Sequence, residues 1–473
     1  MDIASTRADA TRDGRQCGVH TQKRIIKAMS QMTLGNPQNT TEWAGPKDDN
    51  WPLVASRAAG LNRLMAFAGK AGRAYQTHRN TDRGEGRHNH VSVLSPYLRH
   101  RMVDETEVLR QILDQHTPNE AFKFVQEVFW RSYWKGWLEH RSLLWPTYQR
   151  ELPSSLDQLK VNPRGLEAYQ RAIAGETTIA LFNEWCDELK QTGYLHNHAR
   201  MWFASIWVFT LRLPWELGAD FFVRHLLDGD PASNTLGWRW VAGLHTVGKT
   251  YLATPKNIRT CAEERLAGRS DQELGLHHLT SKTVTVVERL PAKALQKTEI
   301  PWPAPVENVC SEYRCNHGRT TLLVTEEDLT WLPSVAPEGV VVLSPSSRST
   351  LEASSALVEQ FVSSALKDAR QRMADHWAQA PVLMAPHILG DDALVDWLVE
   401  QQMDEVICAY LPVGPTRARV ERLRGRLAGK GIALRMQMRD YDRLVWPHAS
   451  KGFFQLGKRI PEFLAVMQLN EQA

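Results

Sequence analysis

The chain has 473 residues, which is too long for one compact core and favours two domains with flexible segments. Hydrophobic residues make up 42% and charged residues 23%, as in an ordinary globular protein, and the net charge of +4 permits nucleic-acid binding without requiring it. No apolar run is long enough for a transmembrane helix, and the acid-containing start, MDIASTRADATRDGRQ, is unlike a signal peptide. We therefore expect a cytoplasmic protein that does not bind a membrane.

The cysteines and tryptophans carry further information. Six scattered cysteines fit a reducing compartment, and although the spacing of Cys310 and Cys315 suits a metal, no second pair completes a site, so we predict no metal centre. Seventeen tryptophans against ten tyrosines is unusual, because each buried indole N–H needs a hydrogen-bond partner. This excess favours stacking surfaces or electron-transfer routes.

The first half of the chain has a helical pattern. Residues 1–50, rich in small polar side chains, predict a flexible N-terminal extension, and residues 51–265 predict a helical domain. Within it, Thr117 and Glu120 have the spacing of a capping box before a tryptophan-rich helix. Residues 197–211 predict a second helix.

The second half reads differently after a connector, residues 266–320, whose proline-rich string at 301–305 predicts a stiff, extended segment. In residues 321–473 short apolar runs alternate with helical segments, which favours a parallel sheet. The fold class predicted is α plus α/β, a helical domain followed by a Rossmann-like parallel-sheet domain. The predicted strands lie at 322–325, 340–344, 381–385, 406–411 and 432–438, and the predicted helices at 351–376, 391–402 and 415–428.

The densest string of chemically informative residues is DGDPASNTLGWRW at 228–240. An acid–glycine–acid segment alone is also typical of a solvated turn, but the asparagine and the two tryptophans that follow are poorly explained by core packing. Four further strings precede it in order: a tyrosine and an arginine four residues apart (Tyr75, Arg79), SVLSPYL at 92–98, EVFWR at 127–131 and HNHARM at 196–201.

Together these five strings resemble the FAD-binding domain of the DNA photolyase and cryptochrome family. The resemblance implies FAD as cofactor. Ser92, Leu94 and Ser95 would hold its pyrophosphate through hydroxyl and backbone N–H groups, and Arg131 would add a charge-assisted contact. It also implies an Arg200–Asp228 pair beside the isoalloxazine, Asp230 at the ring edge and Asn234 facing flavin N5. The full set of implied cofactor-binding residues is Tyr75, Ser92, Leu94, Ser95, Arg131, Arg200, Asp228, Asp230 and Asn234.

The same resemblance implies a pocket for a flipped lesion in UV-damaged DNA. Trp130 and Trp240 would stack on the bases and Glu127 would hydrogen-bond their edges. The six-four photoproduct branch of the family has histidines where this chain has Asn197 and Met201, so the cyclobutane dimer is the predicted substrate. The catalytic residues implied are Glu127, Trp130, Asn197, Met201, Asn234 and Trp240.

Trp238 and Trp215 match the first two positions of the family's photoreduction chain. The third position falls at Leu159 and Lys160, so Trp145 or Trp185 substitutes for it or the chain ends early. The alternative is that Trp215 and Trp238 are only core indoles.

Three segments depart from the family pattern. His198 replaces a second basic residue, the Gly-x-Thr-Gly-x-Pro motif becomes GETTIA at 175–180, and residues 241–254 are unlike common photolyases. Residues 243–250, GLHTVGKT, fit the P-loop pattern, but a P-loop follows a strand and this string follows a predicted helix, so we expect no ATP binding. Lys249 and Arg239 are predicted instead to face DNA phosphates.

The end of the chain resembles the α/β domain that normally precedes the flavin domain. We therefore infer a circular permutation, in which Asp328 and Leu329 echo the family's Arg-x-Asp-Leu-Arg string without its arginines. The antenna chromophore is not identified by the sequence, and a monomer is favoured.

These observations predict light-driven repair of cyclobutane pyrimidine dimers by electron transfer from reduced FAD. The alternative from another class is a cryptochrome-like blue-light photoreceptor without repair activity. A third is a binding protein that keeps the flavin only as structure.

Overall fold

In the computed structural model of this protein, residues 53–300, 302 and 318–469 are described. The predicted N-terminal extension, Cys310, Cys315 and the proline-rich string apart from Trp302 lie outside them. Helices fill the part before the sheet. In chain order they are α1 (Arg57–Ala68), α2 (Arg73–His78), α3 (Ser95–Arg99), α4 (Glu105–Leu113), α5 (Phe122–Glu139), α6 (Leu144–Lys160), α7 (Pro163–Ala174), α8 (Ala180–Thr192), α9 (Asn197–Ser205), α10 (Trp215–His225), α11 (Pro231–Val241), α12 (Pro255–Cys261), α13 (Asp271–Leu274) and α14 (Ala292–Leu295).

Local capping chemistry sets several of these helix ends. Asp104 and Glu107 form a reciprocal capping box at the start of α4. Helix α7 begins with the side-chain cap of Asn162 followed by Pro163, and ends at Gly175, whose φ of +83° suits glycine.

The predicted capping box of Thr117 and Glu120 forms, but it does not start the long helix. The Glu120 carboxylate accepts a hydrogen bond from the Thr117 N–H at 3.2 Å, and the Glu120 N–H donates to the Thr117 hydroxyl. A separate turn follows, and α5 begins only at Phe122. The predicted helix at 197–211 is present as α9 and a π-helix, Ile206–Thr210.

The second half contains five parallel strands in the order β3-β2-β1-β4-β5, which is the order of a doubly wound Rossmann-like sheet. The predicted class, helices plus a parallel-sheet α/β part, is therefore confirmed, and the circular permutation stays a prediction. The strands are β1 (Thr320–Val324), β2 (Gly339–Leu343), β3 (Leu383–Leu389), β4 (Glu405–Ala409) and β5 (Ala433–Gln437), and the helices are α15 (Ala356–His376), α16 (Asp391–Glu400), α17 (Pro415–Ala428), α18 (Asp440–Val445), α19 (Phe453–Gly457) and α20 (Ile460–Val466).

Alternate residues of β1 serve two different cores, as the two-residue period of a strand requires. Leu323 packs in a cluster with α16 and α17, on one face of the sheet. Leu322 and Val324 point to the other face, where the cluster includes α15 and residues of α1, α4 and α5. One face of the sheet therefore shares a core with helices α1, α4 and α5.

Buried ion pairs link the helices to the carboxyl end of β1. Arg99 binds Glu327 at 2.6 Å, with both side chains nearly inaccessible to solvent. Asp328 pairs with Arg439 at 2.6 Å and with Arg101 at 3.4 Å. Asp328 is thus bound by arginines from distant parts of the chain. Removing one partner of such a buried pair leaves an uncompensated charge.

The connector also contributes to the core. Between residues 266 and 300, Leu274, Leu276 and Ala294 are buried, so this part packs against the helices. In the described part of the chain, no helix combines the length and the apolar character that crossing a membrane needs.

Candidate flavin and lesion site

The turn at residues 228–230 is the centre of the predicted cofactor site. Both nitrogens of the Arg200 guanidinium donate to the Asp228 carboxylate, at 3.0 and 2.9 Å. Arg200 also lies 5.3 Å from the centre of the Tyr194 ring. The predicted Arg200–Asp228 pair is therefore present, held in a bidentate geometry that fixes both side chains.

Asp230 caps α11 and gathers positive charge. Its carboxylate accepts hydrogen bonds from the N–H groups of Ala232 and Ser233, and it lies 2.9 Å from Lys135 and 3.6 Å from Arg131. Burial alone would raise the pKa of Asp230, but Lys135, then Arg131 and Arg99, hold it well below its usual range. Asp230 is thus an anion committed to two nearby cations.

Lys135 was missed by the sequence reasoning. It is one helical turn after Arg131 on α5, a spacing that places both side chains on one face. Its own pKa is lowered by burial, against the opposing effect of Asp230. The four-residue spacing of Arg131 and Lys135 is the feature of the sequence that could have identified Lys135.

The serine loop before α3 approaches the same turn. Ser92 accepts a hydrogen bond from the Leu94 N–H at 3.3 Å, and Val93 between them has a φ of +50°, uncommon for a β-branched residue. Arg99, one turn after Ser95, donates to the Gly229 carbonyl at 3.2 Å. The loop therefore lies beside the turn that carries Asp228 and Asp230, as a shared cofactor site requires.

Asn234 lies in the first turn of α11 and is partly exposed. Its amide nitrogen donates to the Ala219 carbonyl at 2.7 Å. This bond identifies the orientation of the amide, because its oxygen must then point away from α10.

A second group forms around Glu127. Its carboxylate pairs with Arg79 at 2.6 Å, and 39% of its side chain is exposed. Its pKa is nevertheless raised by the protein surroundings that desolvate it, against the opposing effect of Arg79. Tyr75 lies with this group: its ring packs edge-on against Phe67 and Phe124, and its pKa is raised by burial and then by Glu127. Tyr75 thus sits next to Glu127.

Helix α9 brings two more predicted pocket residues to the same side. The His196 ring contacts the Arg79 carbonyl at 3.1 Å, which ties the start of α9 to the Glu127 group. Asn197 is exposed, and its amide contacts the Met201 sulfur at 3.8 Å. Burial lowers the pKa of His198 to about 4, so it is neutral near pH 7 and does not replace the charge of the family's basic residue.

The two predicted base-stacking tryptophans already have partners in the chain. Trp130 stacks on Phe453 of α19, with ring centroids 3.6 Å apart and planes 10° apart. Trp240 stacks more loosely on Tyr251, at 5.8 Å and 27°. Phe453 covers one face of Trp130. Both tryptophan side chains remain partly exposed to solvent.

Trp238 and Trp215 lie deep in the helical core, 3% and 2% exposed. Trp238 contacts Trp207 edge-on at 6.0 Å, and Trp215 stacks on Tyr148 at 5.5 Å. Both predicted electron-transfer residues are therefore shielded from solvent.

The P-loop-like string lies in turns directly after α11, and no strand precedes it. Lys249 in this string is exposed, whereas Arg239 is 1% exposed and pairs with Glu288. The prediction that Arg239 faces DNA phosphate is wrong, because its guanidinium group is buried and paired with the Glu288 carboxylate. Within residues 53–300 and 318–469 no cluster of side chains has the composition of a metal site.

Comparison with known proteins finds similarity over part of the chain. Residues 124–313 match the model of the FAD-binding domain of DNA photolyase. Over these residues the chain is similar to the DNA photolyase and cryptochrome family.

Its curated relatives are deoxyribodipyrimidine photo-lyases. That of Alkalihalophilus pseudofirmus is 29% identical over 211 residues, 43% of this chain and 40% of that protein. That of Escherichia coli is 25% identical over 48% of this chain and 46% of that protein, and that of Streptomyces griseus is 31% identical over 33% of each. The chain thus spans less than half the length of these relatives.

Solved structures of the family match part of the chain. A class III photolyase from Agrobacterium tumefaciens has a TM-score of 0.35 and 23% identity, over 45% of each chain. A Synechocystis cryptochrome has a TM-score of 0.36 and 20% identity, over 46% of each.

The residues present fit the FAD that the family domain binds. The Nε atom of Arg131 is buried without a hydrogen-bond partner, and a phosphate oxygen would satisfy it. Ser92 and Ser95 are partly exposed, so their hydroxyl groups are accessible to a ligand. The Arg200–Asp228 pair brings one positive and one negative charge together, 2.9 Å apart. These groups match a pyrophosphate at one end of the ligand and a polar ring edge at the other.

Proposed function

We propose that this photolyase-family protein binds FAD and uses blue or near-ultraviolet light to split cyclobutane pyrimidine dimers in DNA. The observation that carries the proposal is that the implied catalytic residues and the implied electron-transfer residues differ in their exposure to solvent. The six implied catalytic residues are all partly or fully exposed, whereas the implied electron-transfer residues Trp238 and Trp215 are buried. A protein that meets a large substrate and relays electrons internally needs this division.

When bound, reduced FAD would supply the photochemistry: light drives an electron to the dimer, the cyclobutane ring opens, and the electron returns. The protein's own residues would bind and orient. Ser92, Ser95 and Arg131 would hold the pyrophosphate, and Arg200 with Asp228 would contact the ring edge. Asn234 would offer a neutral amide at flavin N5.

On the DNA side, Glu127 would hydrogen-bond the flipped bases. Its raised pKa increases the protonated fraction, which can donate to a base carbonyl. Trp130 and Trp240 would stack on the bases, and Asn197 and Met201 would line the pocket. Lys249, exposed beyond α11, would contact a phosphate.

The sensory alternative, a cryptochrome-like blue-light photoreceptor, is favoured by one specific observation. Phe453 covers a face of Trp130, and Arg79 occupies the Glu127 carboxylate, so two predicted lesion contacts are engaged within the chain. A receptor would keep both interactions, whereas a repair enzyme would exchange them for DNA.

A measurement of DNA binding in the dark distinguishes the repair enzyme from the photoreceptor. The FAD-loaded protein would be titrated with an oligonucleotide containing one thymine cyclobutane dimer and with the same oligonucleotide undamaged. We expect tighter binding of the damaged strand, by about 1–3 kcal/mol for each base that stacks. Equal binding of both strands would favour the receptor.

We also propose that residues 51–265 form the flavin domain, residues 266–320 the connector and residues 321–473 a permuted α/β domain. The Rossmann-like strand order and the pairing of Asp328 with Arg101 and Arg439 support this assignment. A cytoplasmic monomer without ATP binding completes the proposal, and an antenna chromophore is not assigned.

A further inference from the structure

Phe454 is an aromatic residue that the fold leaves in solvent. It is 80% exposed, whereas Phe453 beside it is 3% exposed. Across residues 53–300, 302 and 318–469, no other phenylalanine, tyrosine or tryptophan is exposed to this degree, and the other exposed large apolar side chains are valines, leucines and a methionine. A phenyl ring has a large apolar area to bury, so its exposure points to a contact made outside the chain.

The backbone that carries Phe454 is held on α5. A Cβ at Gly136 would lie 2.8 Å from that of Ala449 and 2.9 Å from the Cα of Trp446, so glycine allows the segment before α19 to pack directly on the helix. Phe453 also meets the Tyr133 ring edge-on, at 5.6 Å. Phe454 is therefore presented from a fixed support, which reduces the entropy that a contact with another molecule must overcome.

The exposed ring lies close to the proposed lesion pocket. Phe453 stacks on Trp130, and the centroids of the Phe453 and Phe454 rings are 6.4 Å apart. The Phe454 ring is therefore at most about 10 Å from the Trp130 ring, roughly three base steps along a DNA strand. A strand that places a base on Trp130 would bring neighbouring nucleotides within reach of Phe454.

The charge around Phe454 suits a nucleic acid. Lys451 and Lys458, three residues before it and four after it, are both exposed. Residues 450–459 contain no acidic side chain. Arg459, at the end of this segment, is already paired with Glu462. Phosphate groups on either side of an inserted ring would thus meet the positive charge of the two lysines.

Base flipping creates a site for such a ring in duplex DNA. Turning a dimer out of the helix removes two stacked bases and leaves a gap opposite their partners. Proteins that distort DNA insert apolar side chains such as phenylalanine or leucine between bases, and an aromatic ring replaces part of the lost stacking. A single strand has no opposite bases, so it offers no such gap.

We propose that Phe454 fills the gap that a flipped dimer leaves in duplex DNA, with Lys451 and Lys458 on the flanking phosphates. The inference rests on the proposed repair function and names its substrate class, a dimer within a double strand. It also gives the α/β part of the chain a direct contact with DNA.

Val247 is the competing candidate for this role. It is 91% exposed in the turns after α11, two residues before Lys249. A valine side chain has no flat face to stack on a base, whereas a phenyl ring does. Phe454 is also tied to the proposed pocket through the stacking of Phe453 on Trp130. Both differences favour Phe454.

The test is binding of the FAD-loaded protein in the dark to a single strand with one thymine dimer and to the same strand annealed to its complement, followed by fluorescence anisotropy. We expect Phe454→Ser to weaken binding of the damaged duplex by about fivefold or more and to leave binding of the single strand unchanged. Phe454→Leu keeps an apolar side chain and should retain most of the duplex affinity. Val161→Ser, which changes another exposed apolar residue, is the matched control and should leave both affinities unchanged.

A second measurement reports on the gap itself. A fluorescent adenine analogue placed opposite the dimer becomes brighter when it loses its stacking neighbour, and an inserted phenyl ring would provide a new neighbour. At saturating protein, we expect the duplex bound to Phe454→Ser to be brighter than the duplex bound to the wild type. Equal brightness would overturn the inference.

The binding outcomes separate this inference from the proposed function. Wild-type duplex affinity in Phe454→Ser, or equal weakening on the duplex and on the single strand, would overturn the role of Phe454. The proposed function would stand in that case if the wild type still prefers the damaged single strand and repairs it in light. A wild type that does neither would overturn the proposed function as well.

Discussion

Phe453 lies face to face on Trp130, with ring centroids 3.6 Å apart, so a side chain near the end of the sequence covers the ring predicted to stack on a DNA base. Phe453 itself is 3% exposed, whereas its neighbour Phe454 is 80% exposed. The contact joins α19 to α5, and it sets up a competition between packing within the chain and stacking on DNA.

We predict that Phe453→Leu, which keeps an apolar side chain but removes the ring, strengthens dark binding of a dimer-containing oligonucleotide. A freed stacking face contributes about 1–3 kcal/mol, which is about 5-fold to 150-fold in affinity. Fluorescence anisotropy measures this, with Phe454→Leu as the control. Unchanged affinity in Phe453→Leu would mean that this face of Trp130 never meets DNA.

Glu127→Ala should lower light-driven repair while leaving FAD bound, because the substitution removes the hydrogen bond to the bases and Glu127 is not among the residues proposed to hold FAD. The expected loss of dimer affinity is about 1–3 kcal/mol. Gln126→Ala, on the same helix, is the control for general damage to α5. Repair that equals the wild type's would remove Glu127 from the pocket.

The Arg200–Asp228 pair should control flavin retention. Arg200→Ala leaves Asp228, whose side chain is 5% exposed, without its bidentate partner, so the purified protein should contain less FAD. Flavin absorbance per protein measures the effect. Arg259→Ala removes a more exposed arginine from its pair with Asp271 and should leave FAD content unchanged. Full FAD content in Arg200→Ala would contradict the assignment.

Glu188 should make stability depend on pH. Burial raises its pKa from 4.5 to about 7, against the opposing effect of Arg265. Because the folded state holds the proton more tightly, this stabilisation is complete below pH 4.5 and is lost as the pH rises through about 7. The free energy of unfolding should fall by about 3 kcal/mol at most across this window.

Glu188→Gln should flatten that dependence, since Arg265 keeps its second partner, Asp82. Denaturant unfolding at several pH values between 4.5 and 8 measures the slope. Glu184→Gln, a half-exposed position on the same helix, is the control and should leave the slope as it is. A variant at position 188 with the wild-type slope would show that another group titrates.

Periodicity predicted much of the fold, because strands and helices of the second half obey local rules. The pattern predicts a helix over 415–428, and α17 spans Pro415–Ala428. All five predicted strands are present within a few residues. The start of α5 was missed by several residues, since the capping box of Thr117 and Glu120 closes a separate turn.

The candidate site could be predicted only where contacts are encoded by local strings. The Arg200–Asp228 pair followed from the family resemblance, and the structure contains it. The stacking of Phe453 on Trp130 and the pairing of Arg99 with Glu327 join residues far apart in sequence, so no local pattern encodes them. The burial of Arg239 is likewise not encoded locally, because its partner Glu288 lies in the connector, 49 residues further along the chain.

The most direct test of the account is illumination of the purified, reduced, FAD-loaded protein with blue light in the presence of an oligonucleotide carrying a thymine cyclobutane dimer. Chromatography of the oligonucleotide would quantify the intact thymines against a dark control. The account predicts their light-dependent return. Persistence of the dimer in a protein whose FAD is bound and fully reduced would contradict repair and leave the photoreceptor as the function.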